Sequence, residues 1–525
     1  MAKPKKPRAS APDPPAAAAR LPWHPPAPPV PTALLITLAA LLIRVLVSVG
    51  PYSGQGAAPK FGDYEAQRHW MELTLHLPPS DWYRNTSDND LAYWGLDYPP
   101  LSAYQSLLHG RIINASLPEA VALRSSRGYE SPESKLLMRW TVLSSDLLVF
   151  FPAALWFVWA YMKGGIGISG EERREGWMWL LAMVLISPCL VLIDHGHFQV
   201  ICTNDFNCIS LGLTLGAIAG VLSRNELVAA ALFTLAINHK QMSLYFAPAF
   251  FSHLLGKCLK RKYPIVEVMK LAFVVLGTFA LVWWPFLHSY EAALQVISRL
   301  APFERGIYED YVANFWCSTS VIIKWKILFE IKPLKLMSLS ATILAFLPSF
   351  VQQVKSPSNL GFLYSLMNSS FSFYLFSYQV HEKSILLPLL PASLLALKEP
   401  QMYGWFVYFA LFSMYPLICR DQLLLQYIAV LGLFFLIYYS PGGSHGKRLK
   451  ISCMAKVVLS LPFICSLLLH IVYLQIEPPK RYRFLFDAMI VFVSFSQFVI
   501  LTLYTNYKQW MLDTHSRSIG VKKNL

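Results

Sequence analysis

The sequence predicts an all-α protein that crosses a membrane many times. Of its 525 residues, 55% are hydrophobic and only 14% are charged, whereas soluble domains carry about 25% charged residues. The apolar residues form long runs, and the charged residues gather in the stretches between those runs. Because every backbone amide inside a bilayer must be paired within the protein, repeated apolar runs of this kind predict membrane-spanning helices.

The net charge of +15 does not indicate a nucleic-acid partner. Most Lys and Arg residues lie in tails and short loops beside apolar runs, as the positive-inside rule predicts for cytosolic segments. We therefore expect membrane lipid, and no nucleic acid, as the surroundings of this chain.

The chain begins with a Pro-, Ala- and Lys-rich tail, residues 1–32, whose low complexity predicts disorder. The first span is predicted at 33–49. Bases ahead of it, among them Lys5 and Arg8, should hold the amino terminus in the cytosol. Residues 50–137 then form a long hydrophilic loop on the lumenal side.

Residues 33–506 are predicted to hold about fourteen spans of about 20 residues each, with both termini cytosolic. Residues 288–335 form a second lumenal region. Its apolar segment 316–328 is interrupted by Lys324 and Lys326, which favours a re-entrant or surface helix. Residues 507–525 form a cytosolic tail. The other spans are expected near 138–161, 177–193, 207–223, 226–238, 243–257, 266–287, 336–353, 361–380, 384–398, 403–418, 422–440, 451–475 and 484–506.

Two short signals indicate a location. The chain ends Lys522-Lys523-Asn524-Leu525, which is either an ordinary basic tail or a dilysine pattern that retains a protein in the endoplasmic reticulum membrane, and we favour the second. Asn85-Thr86-Ser87 and Asn114-Ala115-Ser116 are glycosylation sequons in the first lumenal loop. We therefore expect glycans on Asn85 and Asn114.

Two stretches of the first loop concentrate carboxylates and aromatic residues. They are Gly62-Asp63-Tyr64-Glu65-Ala66-Gln67-Arg68-His69-Trp70 and Tyr93-Trp94-Gly95-Leu96-Asp97-Tyr98-Pro99-Pro100. A carboxylate just beyond a span sits at the membrane boundary, where a lipid-linked substrate would present its head group. This placement indicates chemistry on a lipid carrier.

Polar clusters recur at the predicted lumenal ends of later spans. One such cluster would only hydrate a helix end, but several on one face predict a shared site. Their bases suit phosphate, while the spacing of the Asp-His-Gly-His run is a weak metal signal, so no metal is expected. The clusters are Asp194-His195-Gly196-His197-Phe198-Gln199, Asn238-His239-Lys240-Gln241-Met242, the segment 299–310 with Arg305 and Glu309, and His381-Glu382-Lys383-Ser384.

The sequence contains no nucleotide-binding fingerprint. An enzyme of this kind would need a membrane-soluble activated donor, such as a polyprenyl-phosphate sugar. Inverting glycosyl transfer needs one carboxylate base, a cation beside the leaving phosphate and aromatic walls for the sugar. The clusters supply all three kinds of residue.

The first-loop motifs, together with Leu192-Ile193-Asp194-His195-Gly196-His197-Phe198-Gln199, Val312-Ala313-Asn314-Phe315-Trp316-Cys317 and His381-Glu382-Lys383-Ser384-Ile385-Leu386, resemble one family. It is the dolichyl-phosphate-glucose-dependent glucosyltransferases of N-glycan precursor assembly, which have the GT-C fold. The motifs are most similar to the member that adds the first glucose, and the member that adds the second is the close alternative.

The resemblance implies an inverting transfer of glucose from dolichyl-phosphate glucose, in α-1,3 linkage, to a mannose of the dolichyl-pyrophosphate-linked oligosaccharide, without a cofactor. It implies that Asp63 is the general base, with Asp97 as the rival. A membrane transporter or a scaffold is the competing class of function. The substrate-binding residues expected on these motifs are Glu65, Arg68, Trp94, Asp97, Tyr98, His195, His197, Lys240, Gln241, Arg305, Glu309, His381 and Lys383.

Overall fold

All regular elements of the described residues in the computed structural model are helices, as the sequence predicts. The structure describes residues 30–52, 54–59, 61–164, 170–197, 205–300, 307, 311–440 and 453–523. The predicted amino-terminal tail therefore lies almost wholly outside the described residues.

The first half of the chain forms eleven of these helices. They are α1 Val30–Ser48, α2 Gly62–His76, α3 Pro100–Ser116, α4 Pro132–Ser145, α5 Phe151–Gly164, α6 Gly170–Leu185, α7 Pro188–Val191, α8 Asp205–Leu222, α9 Glu226–His239, α10 Ala247–Leu259 and α11 Pro264–Trp283. Two π-helical segments, Asp146–Phe150 and Leu192–His197, follow α4 and α7.

The second half adds eleven more helices. Short 3-10 turns occur in both halves, and Gln241–Phe246 and Glu382–Ile385 concern the site. The helices are α12 Tyr290–Leu300, α13 Phe315–Thr319, α14 Trp325–Leu328, α15 Ile331–Lys355, α16 Asn359–Phe376, α17 Leu386–Leu394, α18 Pro400–Ser413, α19 Tyr415–Arg420, α20 Leu424–Tyr438, α21 Cys453–Gln475 and α22 Leu485–Lys523.

Six helical stretches in the described chain are long and apolar enough to cross a bilayer. This makes the chain a polytopic membrane protein. The stretches are Val30–Ser48, Pro132–Gly164, Gly176–Gly196, Pro264–Phe286, Ile331–Lys355 and Leu485–Leu512. Four shorter apolar helices accompany them: Asn207–Leu222, Glu226–His239, Leu424–Tyr438 and Ser460–Gln475.

Several predicted spans are interrupted where the sequence pattern suggested one continuous helix. The span predicted at 403–418 divides into α18 and α19, with Pro416 at the start of the second helix, where its missing amide proton is harmless. The single helix predicted at 316–328 is wrong, because that segment forms the two short helices α13 and α14. The last helix, α22, continues past the expected end of its span at residue 506 and reaches Lys523.

Burial separates the centre of the bundle from its lipid-facing rim. In the most apolar 18 residues of Gly176–Gly196, 94% of the positions are buried inside the protein, whereas in those of Pro264–Phe286 only 6% are buried. Helix α8 packs against both α5 and α9. A Cβ atom at Gly212 would lie 3.0 Å from the backbone of Phe150, so the absence of a side chain there lets α8 approach the π-helical segment Asp146–Phe150 closely.

The predicted first lumenal loop is a folded helical module. Helices α2 and α3 pack against each other, and side chains on both contribute to two apolar clusters. One cluster includes Tyr64, Met71 and Ile113, and the other includes Trp70 and Tyr98. This packing gives the carboxylates of α2 a rigid support.

Candidate active site

Asp63 lies in the first turn of α2, directly after a sharp change in chain direction. Phe61 has φ 52° and Gly62 has φ 60°, the left-handed conformation that glycine adopts without strain. The Asp63 side chain is fully buried, and neither carboxylate oxygen has a hydrogen-bond partner among the described residues. Because burying an unpaired carboxylate is costly, this position indicates a function beyond folding.

Among the described residues, Lys383 forms an ion pair with Asp63. Its Nζ lies 3.9 Å from Asp63 Oδ2, and the Lys383 side chain is itself nearly buried. Burial raises the pKa of Asp63 well above its usual value; Lys383 and Arg420 oppose this rise, and Glu382 adds to it. A carboxylate with a raised pKa is better matched than an ordinary one to accepting a proton near neutral pH.

A series of contacts connects several of the sequence clusters to this carboxylate. Lys383 contacts Asp63, and Ser384 Oγ lies 3.9 Å from Met242 Sδ. Gln241 Nε2 in turn donates a hydrogen bond of 3.2 Å to the Asp97 carbonyl oxygen. The segments around residues 63, 97, 241 and 383 are therefore linked by contacts, and their shared role in substrate binding stays a prediction.

The Asp97 turn is fixed through its backbone. Trp70 Nε1 donates to the Trp94 carbonyl at 2.7 Å, and Tyr83 Oη donates to the Tyr98 carbonyl at 2.6 Å. Trp94 has φ 49°, and Pro100 begins α3. These contacts make the segment a rigid turn, and the Asp97 side chain is half-buried within it.

Glu65 and Arg68 belong to an internal network on α2. Arg68 binds Glu65 through Nε and Nη2, each at 2.7 Å, and binds Glu72 at 2.8 Å. Tyr93 Oη donates to Glu65 at 2.8 Å. Burial acts to raise the pKa of Glu72, but the His69 hydrogen bond and the Arg68 charge bring it down to about 2. This network anchors α2, and the predicted role of Glu65 and Arg68 in substrate binding stays a prediction.

A second buried polar cluster surrounds the two π-helical segments. Asp146 Oδ2 accepts hydrogen bonds from Arg44 Nε at 2.6 Å and from His195 at 2.8 Å. Asp194 accepts from Asn207 at 3.0 Å. Lys240 also donates to Asn207, so this cluster connects to the segment that carries Gln241.

Asp146, His195 and Cys208 have ligand atoms within 4.8 Å of one another, as a metal site would require. The same Asp146 oxygen that faces His195 already binds the Arg44 guanidinium. A cation there would be repelled by a fully buried positive charge. These three residues therefore fit a metal ion poorly.

The remaining predicted residues are distributed as follows. His381 lies in the segment after α16, two residues before Lys383. Asn85 and Asn114 are both exposed, so neither sequon is sterically blocked. Arg305, Glu309 and the side chain of His197 lie outside the described residues.

Arg44 and Asp146 were missed by the sequence reasoning, although each is a charged residue within a predicted span, and such residues are signals of pairing or function.

Comparison with known proteins identifies the family. A profile of the ALG6, ALG8 glycosyltransferase family matches residues 40–504. The probable dolichyl pyrophosphate Man9GlcNAc2 alpha-1,3-glucosyltransferase of Arabidopsis thaliana is 57% identical over 93% of this chain and 92% of its own length. Proteins named as the same glucosyltransferase are 41% identical in Rattus norvegicus, over 90% of this chain and 95% of theirs, and 39% identical in Saccharomyces cerevisiae, over 90% of each. On this evidence, the chain belongs to the ALG6, ALG8 glycosyltransferase family.

Proposed function

We propose that this chain transfers glucose from dolichyl-phosphate glucose to a mannose of dolichyl-pyrophosphate-linked Man9GlcNAc2, in α-1,3 linkage and with inversion. The observation that carries the proposal is the buried Asp63 carboxylate, which has no hydrogen-bond partner among the described residues and lies 3.9 Å from Lys383. The names of the relatives support this acceptor over the monoglucosylated one.

In the proposed reaction, Asp63 is the general base. It takes the proton of the acceptor mannose hydroxyl as that oxygen attacks the anomeric carbon of glucose. The bond between the anomeric carbon and the phosphate oxygen breaks, and dolichyl phosphate leaves with the electron pair. A positioned base of this kind contributes about a hundred- to ten-thousand-fold in rate.

Lys383 is the cation for the donor phosphate in this proposal. Its ammonium group lies next to Asp63 in the apo structure, so both charges are partly compensated before substrate binds. A phosphate oxygen would replace Asp63 as the partner of Lys383 through a charge-assisted hydrogen bond. Asp63 would then be free to face the acceptor hydroxyl.

The finer architecture belongs to the same proposal. We place the site on the lumenal face of an endoplasmic reticulum GT-C protein with about fourteen spans and cytosolic termini. Basic connectors such as 257–265 support this orientation. The breaks within several apolar segments are compatible with that count, because paired short helices such as α18 and α19 jointly cover one span.

The direct test is transfer by the purified protein. Labelled dolichyl-phosphate glucose is supplied with dolichyl-pyrophosphate-linked Man9GlcNAc2 in detergent, where no gradient exists. The proposal expects one glucose on the acceptor. A transporter or scaffold would form no product. A parallel reaction supplies the monoglucosylated acceptor, and transfer to that acceptor alone would indicate addition of the second glucose instead.

A further inference from the structure

A cavity of about 370 Å³ lies between the α8–α9 turn, the end of α10 and the first turns of α11. Its charged lining residues are Arg224, Glu226, Lys257, Arg261, Glu267 and Lys270. Four bases against two acids leave an excess of positive charge in this cavity.

The bases of the cavity differ in how well they are neutralised. Lys257 binds Glu226 at 3.2 Å, and Arg261 binds both Glu226 at 3.1 Å and Glu267. Lys270 also binds Glu267, at 2.9 Å. The Arg224 side chain has no hydrogen bond or ion pair in the described part of the chain, so it is available to an anion from outside.

The first turn of α9 adds backbone donors to the same cavity. Asn225, Glu226 and Val228 line it, and no side chain caps the start of α9. The first amide groups of a helix have no partners within that helix, and they carry the positive end of its dipole. Glu226 also lies in this first turn, and its carboxylate is already paired with Lys257 and Arg261. Arg224 and the backbone amides therefore remain as donors for an anion.

The cavity lies at the opposite end of the bundle from the candidate active site. Helix α9 runs from the cavity to His239, whose carbonyl accepts from Ser102 in the first-loop module. Trp283, at the far end of α11, donates to Asn238 at 2.6 Å. The 20 residues of α11 cover about 30 Å, the thickness of a bilayer core. The cavity therefore lies at the other membrane surface, which the basic connector 257–265 identifies as the cytosolic one.

Apolar side chains border the cavity on the lipid side. Leu227 and Val228 of α9 are 46% and 48% exposed, and Ile265 and Val266 of α11 are 76% and 50% exposed. A free phosphate ion would gain nothing from this border. Acyl chains would pack against it while their headgroup entered the cavity.

We propose that this cavity binds the headgroup of an anionic phospholipid from the cytosolic leaflet, with its phosphate against Arg224, Lys257 and the start of α9. Basic pockets between transmembrane helices on this side of a membrane bind lipid headgroups in this manner. The proposal is independent of the glucosyl-transfer reaction, since the two sites lie at opposite membrane surfaces.

The test measures binding of short-chain phosphatidylinositol to the full-length protein in detergent. The variants are Arg224→Asn, which suits the left-handed φ of 62°, and Arg224→Asn with Lys257→Gln. We expect a loss of affinity of about fivefold for the single variant and about tenfold or more for the double variant. Arg224→Lys should retain most of the affinity, because it keeps the charge.

Lys355→Gln is the matched control. Lys355 is exposed at the end of α15, near the end of α10, but does not line the cavity. Its removal should leave binding unchanged, and the melting temperatures without lipid should agree for all variants. Equal binding of phosphatidylinositol by the wild type and the double variant would overturn the proposal. So would equal affinity for phosphatidylcholine, or for inorganic phosphate alone, the latter indicating a free-anion site.

Discussion

The guanidinium of Arg44 and the carboxylate of Asp146 form an ion pair of 2.6 Å in which both side chains are fully buried. Arg44 belongs to α1, and Asp146 begins the π-helical segment after α4. The guanidinium also donates to the Leu185 carbonyl at 2.8 Å. This one pair therefore joins three spans, each of which would otherwise carry an unpaired charge or carbonyl.

Removing one member of this pair should destabilise the protein. Asp146→Asn leaves Arg44 buried without a counter-charge, which costs about 3–5 kcal/mol. We expect a clear fall in the melting temperature of the purified protein. The double variant Arg44→Gln with Asp146→Asn should recover part of the loss, because no isolated charge remains.

Glu133→Gln provides the matched control for Asp146→Asn. It makes the same acid-to-amide change on α4, at an exposed position, and should leave the melting temperature unaltered. If Asp146→Asn melts like Glu133→Gln, the pair does not stabilise the fold.

The contact between Asp63 and Lys383 shows how far the sequence could predict the site. Residues 63 and 383 lie far apart in the chain, but the sequence analysis expected both on one face of the membrane. In the structure, Lys383 Nζ lies 3.9 Å from Asp63 Oδ2. Loop charge had assigned both motifs to one side of the membrane, and that assignment stays a prediction. Their separation depends on helix packing, which no local pattern contains.

The interrupted helices mark what the sequence could not predict. Apolar runs indicate a membrane environment. In the interior of a helix bundle, however, short and long helices have the same apolar composition, so composition does not predict where a helix ends. Residues 241–259 divide into a 3-10 turn and α10. Pro248 at the start of α10 is a local signal for this break, but a proline in an apolar run is equally compatible with a kinked, continuous helix. The partner of Arg44 was equally undetermined, since a lone charge in a span signals pairing without naming the pair.

Both lumenal sequons should carry glycans. Asn85 and Asn114 are exposed, and each lies in the module that we place in the lumen. Asn85→Gln and Asn114→Gln should each abolish one endoglycosidase-sensitive shift in gel mobility. Thr86→Ser keeps the first sequon and should retain its shift.

No third glycan is expected at Asn368. It also begins a sequon, but its side chain is fully buried and donates to Gln509 at 2.7 Å. A wild-type protein that shows no shift with endoglycosidase would contradict the lumenal placement of the first-loop module.

The acid side of the pH–rate profile should follow the ionisation of Asp63. A general base works only when it has lost its proton, so activity should rise with pH as Asp63 ionises. Because burial raises its pKa, the rise in kcat/KM should occur above the range of an ordinary aspartate.

Two neighbouring variants should move this rise in opposite directions. Lys383 lowers the pKa of Asp63 and Glu382 raises it. Lys383→Gln should therefore shift the rise to higher pH, and Glu382→Gln should shift it to lower pH. The two residues are adjacent, so a general disturbance of the turn would move both profiles in the same direction, and that result would count against Asp63 as the titrating group.

Asp63→Asn should abolish most of the activity without unfolding the protein. An amide cannot accept the hydroxyl proton, so turnover should fall by about two to four orders of magnitude. The Asp63 oxygens make no hydrogen bond within the described residues, so the substitution breaks none there. It removes the charge that faces Lys383 at 3.9 Å, but it also removes the cost of burying a carboxylate. Because these two effects oppose each other, the melting temperature should change little. Asp97→Asn is the matched comparison, because the Asp97 contact to Gln241 uses the backbone carbonyl, which the substitution keeps. Glucose transfer to the oligosaccharide is measured for both. If Asp63→Asn stays active while Asp97→Asn is inactive, Asp97 is the base and Asp63 is not.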